Sequence, residues 1–241
     1  CTVADLDIDP WLLNCANGTL DLRTMQLSPH DPADRITKVT RAAHNPGAGT
    51  KPAAWQQFLE QVLPDEGVRE YLQRIAGMAL LGKVSEHILP ILTGTGSNGK
   101  GTFYAALLWA LGDYGCPAEP DLFMQSKNAH PTGQMDLLGR RLVVVSESGE
   151  GHRLDEAKMK RLTGGDEIKA RRMHRDFVSF EPSHTALFIT NHLPKVSGDD
   201  QATWRRIRVI PFTVCIPEEQ QKGDLDVALK VEADAVLAWA V

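Results

Sequence analysis

The chain has 241 residues, 42% hydrophobic and 24% charged, with a formal net charge of −5. That supplies one sizeable core in one or two domains, and the acidic balance excludes a generally basic nucleic-acid coat while leaving room for a local basic stripe. No stretch approaches the ~18 consecutive apolar residues of a membrane span, and no signal-peptide pattern opens the chain. The four cysteines, Cys1, Cys15, Cys116 and Cys215, show no C-x-x-C pair, and the eight histidines form no metal signature. Reduced thiols and a cytoplasmic location are expected.

Residues 1–50 read as a small β-rich accessory segment. Asn17-Gly18 is a hairpin turn signal followed by the alternation Thr19-Leu20-Asp21-Leu22-Arg23, and Pro46-Gly47-Ala48-Gly49 marks a loop. Residues 51–84 change to a helical period. Trp55, Phe58, Leu59 and Val62, then Tyr71, Leu72, Ile75, Ala76, Ala79 and Leu80, predict two helices of a collar whose apolar stripes are core.

Residues 85–241 read as a nucleotide-binding core. His87–Thr93 predicts a buried strand, Gly94-Thr95-Gly96-Ser97-Asn98-Gly99-Lys100 a glycine-rich turn, and Thr102–Leu111 a helix, the context a P-loop requires. Backbone N–H groups of such a turn and the helix N-terminus attract phosphate, and Lys100 adds a point charge. Gly101 stands where a P-loop normally offers a hydroxyl to Mg²⁺, and Thr102 follows one residue later. Further strands are expected at Leu142–Val145, Thr185–Thr190 and Ile207–Phe212, with a hairpin over Ile168–Phe180. Strands alternating with helices imply an α/β fold, with ligands at the carboxyl ends of a mostly parallel sheet.

Three positions complete the expected chemistry. The strand Leu142–Val145 delivers Ser146-Glu147; Glu147 is the candidate to activate a water, and Thr102, Ser146 and Glu147 are the candidates to hold Mg²⁺. Asn191 ends another strand and is the candidate γ-phosphate sensor. In Trp204-Arg205-Arg206-Ile207-Arg208, Arg206 first and Arg205 second are candidates to stabilise transition-state charge on a neighbouring subunit, a surface ion pair being the alternative. Lys158 to Arg175 forms the basic stripe. Alone it reads as a solvated charged face; beside a nucleotide-driven core, a basic hairpin with its tip near Met173-His174-Arg175 reads as a nucleic-acid contact.

Together these blocks resemble the superfamily 3 helicases, in the branch of phage and plasmid primase-helicases. The resemblance is carried by Gly94 to Thr102, Arg141 to Glu147, Leu162-Thr163-Gly164-Gly165-Asp166 with Arg171-Arg172, and Thr190-Asn191-His192-Leu193-Pro194 with Trp204 to Arg208; Trp11 to Leu22 resembles the accessory region of that branch. The resemblance implies an AAA+-like module that binds ATP and Mg²⁺ between subunits of a hexameric ring. It further implies single-stranded DNA gripped by Lys169, Arg171, Arg172, His174 and Arg175, replication of a phage or mobile element, and residence in the cytoplasm of a bacterial host. Primase domains upstream and DNA-binding domains downstream accompany many members. A start at Cys1 and an end inside an amphipathic pattern at Ala238-Trp239-Ala240-Val241 fit a fragment of such a protein. Two other functions stay open on sequence: a small-molecule P-loop kinase working as a single chain, and an ATP-gated DNA-loading protein with little hydrolysis.

Overall fold

The computed structural model describes residues 5–50, 54–120, 122–125, 133–146, 153–173, 175–196, 200–221 and 223–241; Glu147 and His174 lie outside the described residues. The chain opens with an antiparallel meander of β1 (Leu12–Cys15), β2 (Gly18–Asp21) and β3 (Gln26–Ser28). Leu13 pairs with Leu20 and Cys15 with Gly18, so the tight turn is Ala16-Asn17, one residue ahead of the expected Asn17-Gly18. The register is shifted because Asn17 is claimed by the next segment: its amide donates to the His44 carbonyl at 3.0 Å, and its carbonyl accepts from His44 N at 2.8 Å.

The collar forms as expected, with α1 (Ala54–Val62) burying Trp55, Phe58, Leu59 and Val62, and α2 (Glu66–Met78) burying Leu72, Ile75 and Ala76. Asp65 caps α2 by accepting from Val68 N at 3.1 Å, which starts a new helix directly after Pro64.

The core follows: β4 (Leu89–Thr93), α3 (Lys100–Leu111), β5 (Gly115–Pro117), β6 (Leu142–Ser146), α4 (Glu156–Leu162), β7 (Ile168–Ala170), β8 (Val178–Phe180), β9 (Thr185–Thr190), α5 (Gln201–Trp204), β10 (Ile207–Pro211), α6 (Leu225–Val231) and α7 (Ala233–Ala240). Five strands make one sheet in the order β10-β4-β9-β6-β5, and every pairing in it is parallel. Each interior strand is apolar on both faces, as a parallel sheet covered on both sides demands. Leu92, Val144, Leu187, Ile189 and Ile210 face a layer of α3, the collar, α7 and the accessory sheet. Leu89, Ile91, Val143, Val145 and Phe188 face α4 and Ile168 of the hairpin. In the first layer Trp55 stacks on Phe103 with centroids 5.6 Å apart, and Trp239 meets Trp55 edge-on at 5.4 Å. The expected hairpin is the antiparallel β7–β8 pair, a sheet of its own. No helix among the described residues is long and apolar enough to cross a membrane.

Arg141, 5% exposed, ties three of these parts together. Its guanidinium donates to the carbonyls of Leu80, after α2, and Leu12, in β1, and lies 4.5 Å from the Tyr114 ring centroid.

His184, the residue before β9, is 2% exposed and sits beside the Leu162 backbone. Burial pushes its pKa down to about 4. The folded protein therefore favours neutral imidazole, so stability is full above the unfolded value of ~6.5 and falls as pH drops from there toward 4. Between pH 7.5 and 5 this one group should remove about 2 kcal/mol of unfolding free energy. Urea titrations at several pH values should show that slope, and His184→Leu should flatten it.

Candidate functional site

The turn after β4 is shaped by two glycines. Gly94 has φ +157°, and a Cβ there would stand 2.3 Å from the Phe212 carbonyl oxygen and 2.4 Å from Asn98 Nδ2. Gly99, just ahead of α3, has φ +85°, and a Cβ would meet Val62 Cγ1 at 2.6 Å. The turn is thus pressed between the end of β10 and the collar, and only glycine fits both contacts. Between them Thr95, Gly96 and Ser97 form an exposed rim.

Lys100, the first residue of α3, is 5% exposed. Its ammonium donates to the Gly94 carbonyl at 2.6 Å, Asn98 Oδ1 at 3.1 Å and Asn191 Oδ1 at 3.3 Å. All three are neutral oxygens. Burial pushes the pKa of this amine down, and an anion arriving at the rim would push it back up. Asn98 is itself a brace: its Nδ2 donates to the Thr95 carbonyl at 2.9 Å and the Phe212 carbonyl at 3.2 Å. The strap after β10 returns the grip, with Phe212 N donating to the Thr93 carbonyl at 2.7 Å and Ile216 N to the Ser97 carbonyl at 2.9 Å.

Asn191 reaches Lys100 because β9 lies beside β4, with Thr93 opposite Thr190. On its other side β6 runs in register, Ser146 opposite Ile189, so Ser146 is exposed at the same carboxyl edge. Glu147 follows in sequence and lies outside the described residues. Thr102 is half-buried and borders a cavity of about 240 Å³ next to the rim. Gln57, Phe58 and Gln61 of α1, with Ile216 and Asp226, form its other walls. The collar and the C-terminal segment therefore belong to the site, which sequence reasoning missed; the only advance signal was the pair Gln57 and Gln61, four residues apart beside the apolar stripe of α1.

The groups at this edge fit a nucleotide. Glycines leave room for phosphate, a buried cation has no carboxylate partner among the described residues, and a cavity large enough for a nucleoside adjoins them. For a metal, the described donors are the hydroxyls of Thr102 and Ser146; no cluster of three or more His, Cys, Asp or Glu side chains suited to a metal occurs among the described residues.

Arg205 and Arg206 sit elsewhere. Ile207 pairs with Leu89, so both arginines precede the amino end of β10, about 13 Å along the strand from the carboxyl edge. Arg205 is exposed; Arg206 is half-buried and turns onto its own helix, donating to the Ala202 carbonyl at 2.8 Å. On the β7–β8 hairpin, Lys169, Arg171, Arg172 and Arg175 are all exposed, and His174 lies outside the described residues. Lys160 of the basic stripe is instead committed to an ion pair with Asp200, the cap of α5.

Residues 1–64 match the family described as D5 N terminal like, and residues 92–206 match a family of unknown function, DUF5906. A protein of Acanthamoeba polyphaga mimivirus, provisionally named a helicase, is 29% identical over 214 residues, covering 86% of this chain and 22% of its own length. One from Invertebrate iridescent virus 6, with the same provisional name, is 28% identical over 241 residues, covering 91% and 24%. One from African swine fever virus, provisionally named a primase, is 23% identical over 216 residues, covering 86% and 22%. The chain thus spans about a quarter of the length of these relatives. The apo structure of the NrS-1 C-terminal region shares the fold at a TM-score of 0.62 and 13% identity, over 84% of this chain and 46% of that one.

The Asn98 brace makes a specific test. Asn98→Asp keeps its shape but sets a carboxylate beside the Lys100 ammonium, neutralising the cradle. Affinity for a nucleoside triphosphate, read by titration with a fluorescent analogue, should fall at least about tenfold, and thermal stability should fall as well, because a carboxylate oxygen cannot donate to the Thr95 and Phe212 carbonyls. Equal affinity in the two proteins would mean that Lys100 does not face the phosphates.

Proposed function

We propose that this chain is a member of the phage-type primase-helicase family and the motor module of a replicative DNA helicase. In this reading it hydrolyses ATP with Mg²⁺ between subunits of a homo-oligomer, a hexameric ring, and moves along single-stranded DNA. The observation that carries the proposal is the buried Lys100 ammonium, held among the described residues by neutral oxygens and touching Asn191 at the carboxyl edge of the sheet.

The chain's own residues then have distinct tasks. Lys100 exchanges its bonds to Gly94 and Asn98 for phosphate oxygens. Asn191, already at Lys100, orients the γ-phosphate and the attacking water. Glu147 accepts a proton from that water as its oxygen bonds to the γ-phosphorus, and the bond to the bridging oxygen breaks to leave ADP and phosphate. Thr102, Ser146 and Glu147 would hold Mg²⁺, which neutralises charge on the phosphates when bound. The cavity beside the rim takes the nucleoside.

The placement of Arg205 and Arg206 supports composite sites. Their strand carries them to the edge opposite the cradle of their own chain, so either could meet a γ-phosphate only on a neighbour. A kinase that closes an arginine over its own nucleotide would need them at the other end.

Hydrolysis per protomer should therefore rise with protein concentration and rise again with single-stranded DNA. Lys100→Ala and the double variant Arg205→Ala/Arg206→Ala should each be inactive alone. Mixed, they should regain activity, because an intact Lys100 site can then face a neighbour with intact arginines. A rate indifferent to concentration and DNA, with no recovery on mixing, would overturn the proposal.

A further inference from the structure

The hairpin carries a ring that neither core accounts for. Phe177, just ahead of β8, is 50% exposed, and Met173 near the tip is 74% exposed. The Arg171 guanidinium carbon lies 4.9 Å from the Phe177 ring centroid, and the Lys169 ammonium lies 5.4 Å from it. Solvated cation–π contacts are weak and do not replace the burial that a phenyl ring gains in a core. As a packing device for a three-residue strand pair, the ring is therefore poorly used.

As a ligand contact it is well placed. We propose that Phe177 is a stacking platform for a base of single-stranded nucleic acid, with Lys169 and Arg171 beside it taking the flanking phosphates. The inference rests on the reading of the hairpin as the DNA contact and adds to it a contact that charge alone does not provide. In a duplex both faces of each base are covered by neighbours, whereas a single strand offers them, so an exposed ring selects single strands whatever their sequence. Ionic contacts release counterions and set the salt slope of binding; a ring releases none. The two kinds of contact are therefore separable by measurement.

The test uses the 241-residue chain, fluorescence anisotropy, a labelled oligo-dT strand and the same strand with abasic sites. Phe177→Leu keeps apolar bulk but has no π face. It should bind oligo-dT about tenfold more weakly with an unchanged salt slope, while Phe177→Tyr keeps the wild-type affinity. The abasic strand should bind the wild type more weakly by a similar factor and make little further difference to Phe177→Leu. Arg172→Glu should lower both affinity and slope. If Phe177→Leu binds as wild type, or the wild type ignores base removal, stacking is overturned, and a response to Arg172→Glu would leave the hairpin reading standing. If the wild type binds neither strand, the hairpin reading itself fails. Should Phe177→Leu not fold, the abasic comparison on the wild type and on Phe177→Tyr still decides.

Discussion

The parallel pairing of β10 with β4 is the constraint from which the site follows. It brings Phe212 against the turn, where its carbonyl receives Asn98 and its N–H reaches Thr93, so the last strand of the sheet clasps the loop that follows the first strand of the core. The same pairing sends Arg205 and Arg206 to the opposite edge. One register therefore closes the cradle and carries Arg205 and Arg206 away from it. Since β4 is an interior strand, covered on both faces and paired on both sides, the clasp cannot loosen without disturbing the sheet.

Two buried cations among the described residues, Arg141 and Lys100, show what distinguishes a structural charge from a functional one. Arg141 is surrounded by Leu12 and Leu80 carbonyls and the Tyr114 ring, groups from three different parts of the chain, and it has no exposed side. Its bonds are permanent ties, and removing the guanidinium would leave carbonyls without partners. Lys100 is equally buried, but its acceptors are a loop carbonyl and two side-chain amides at the rim. Those oxygens keep the ammonium in place at small electrostatic gain, and each can be exchanged for a phosphate oxygen. A carboxylate partner would have neutralised the cradle before any nucleotide arrived.

Much of this was legible in the sequence because the chemistry is local. A glycine-rich turn between an apolar strand and a helix specifies its own geometry, and the long apolar runs at Leu142 and Thr185 could only be covered strands. What sequence did not yield depends on tertiary placement. Three-residue β5 is too short for a periodic signal, and the Ala16-Asn17 turn was displaced by a bond from Asn17 to His44, far along the chain. Asn98 was legible as part of the phosphate-binding turn, but its role as a brace depends on Phe212, far along the chain. Phe177 sits beside a run of basic residues whose charge dominates the local sequence pattern. Glu147 and His174, both singled out in the sequence, lie outside the described residues, so their roles rest on the neighbours Ser146 and Arg175.

In the proposed motor, the physical link between nucleotide and DNA is short. The hairpin is inserted between β6, which delivers Ser146, and β9, which delivers Asn191. Strand β9 is fully buried from Thr185 to Thr190, with His184 packed at its amino end beside the root of the hairpin and Asn191 against Lys100 at the other. Six residues of strand span roughly 20 Å, and a close-packed strand moves as a unit rather than bending. Any shift of Asn191 as the γ-phosphate leaves would therefore act on the same rigid element that roots the hairpin.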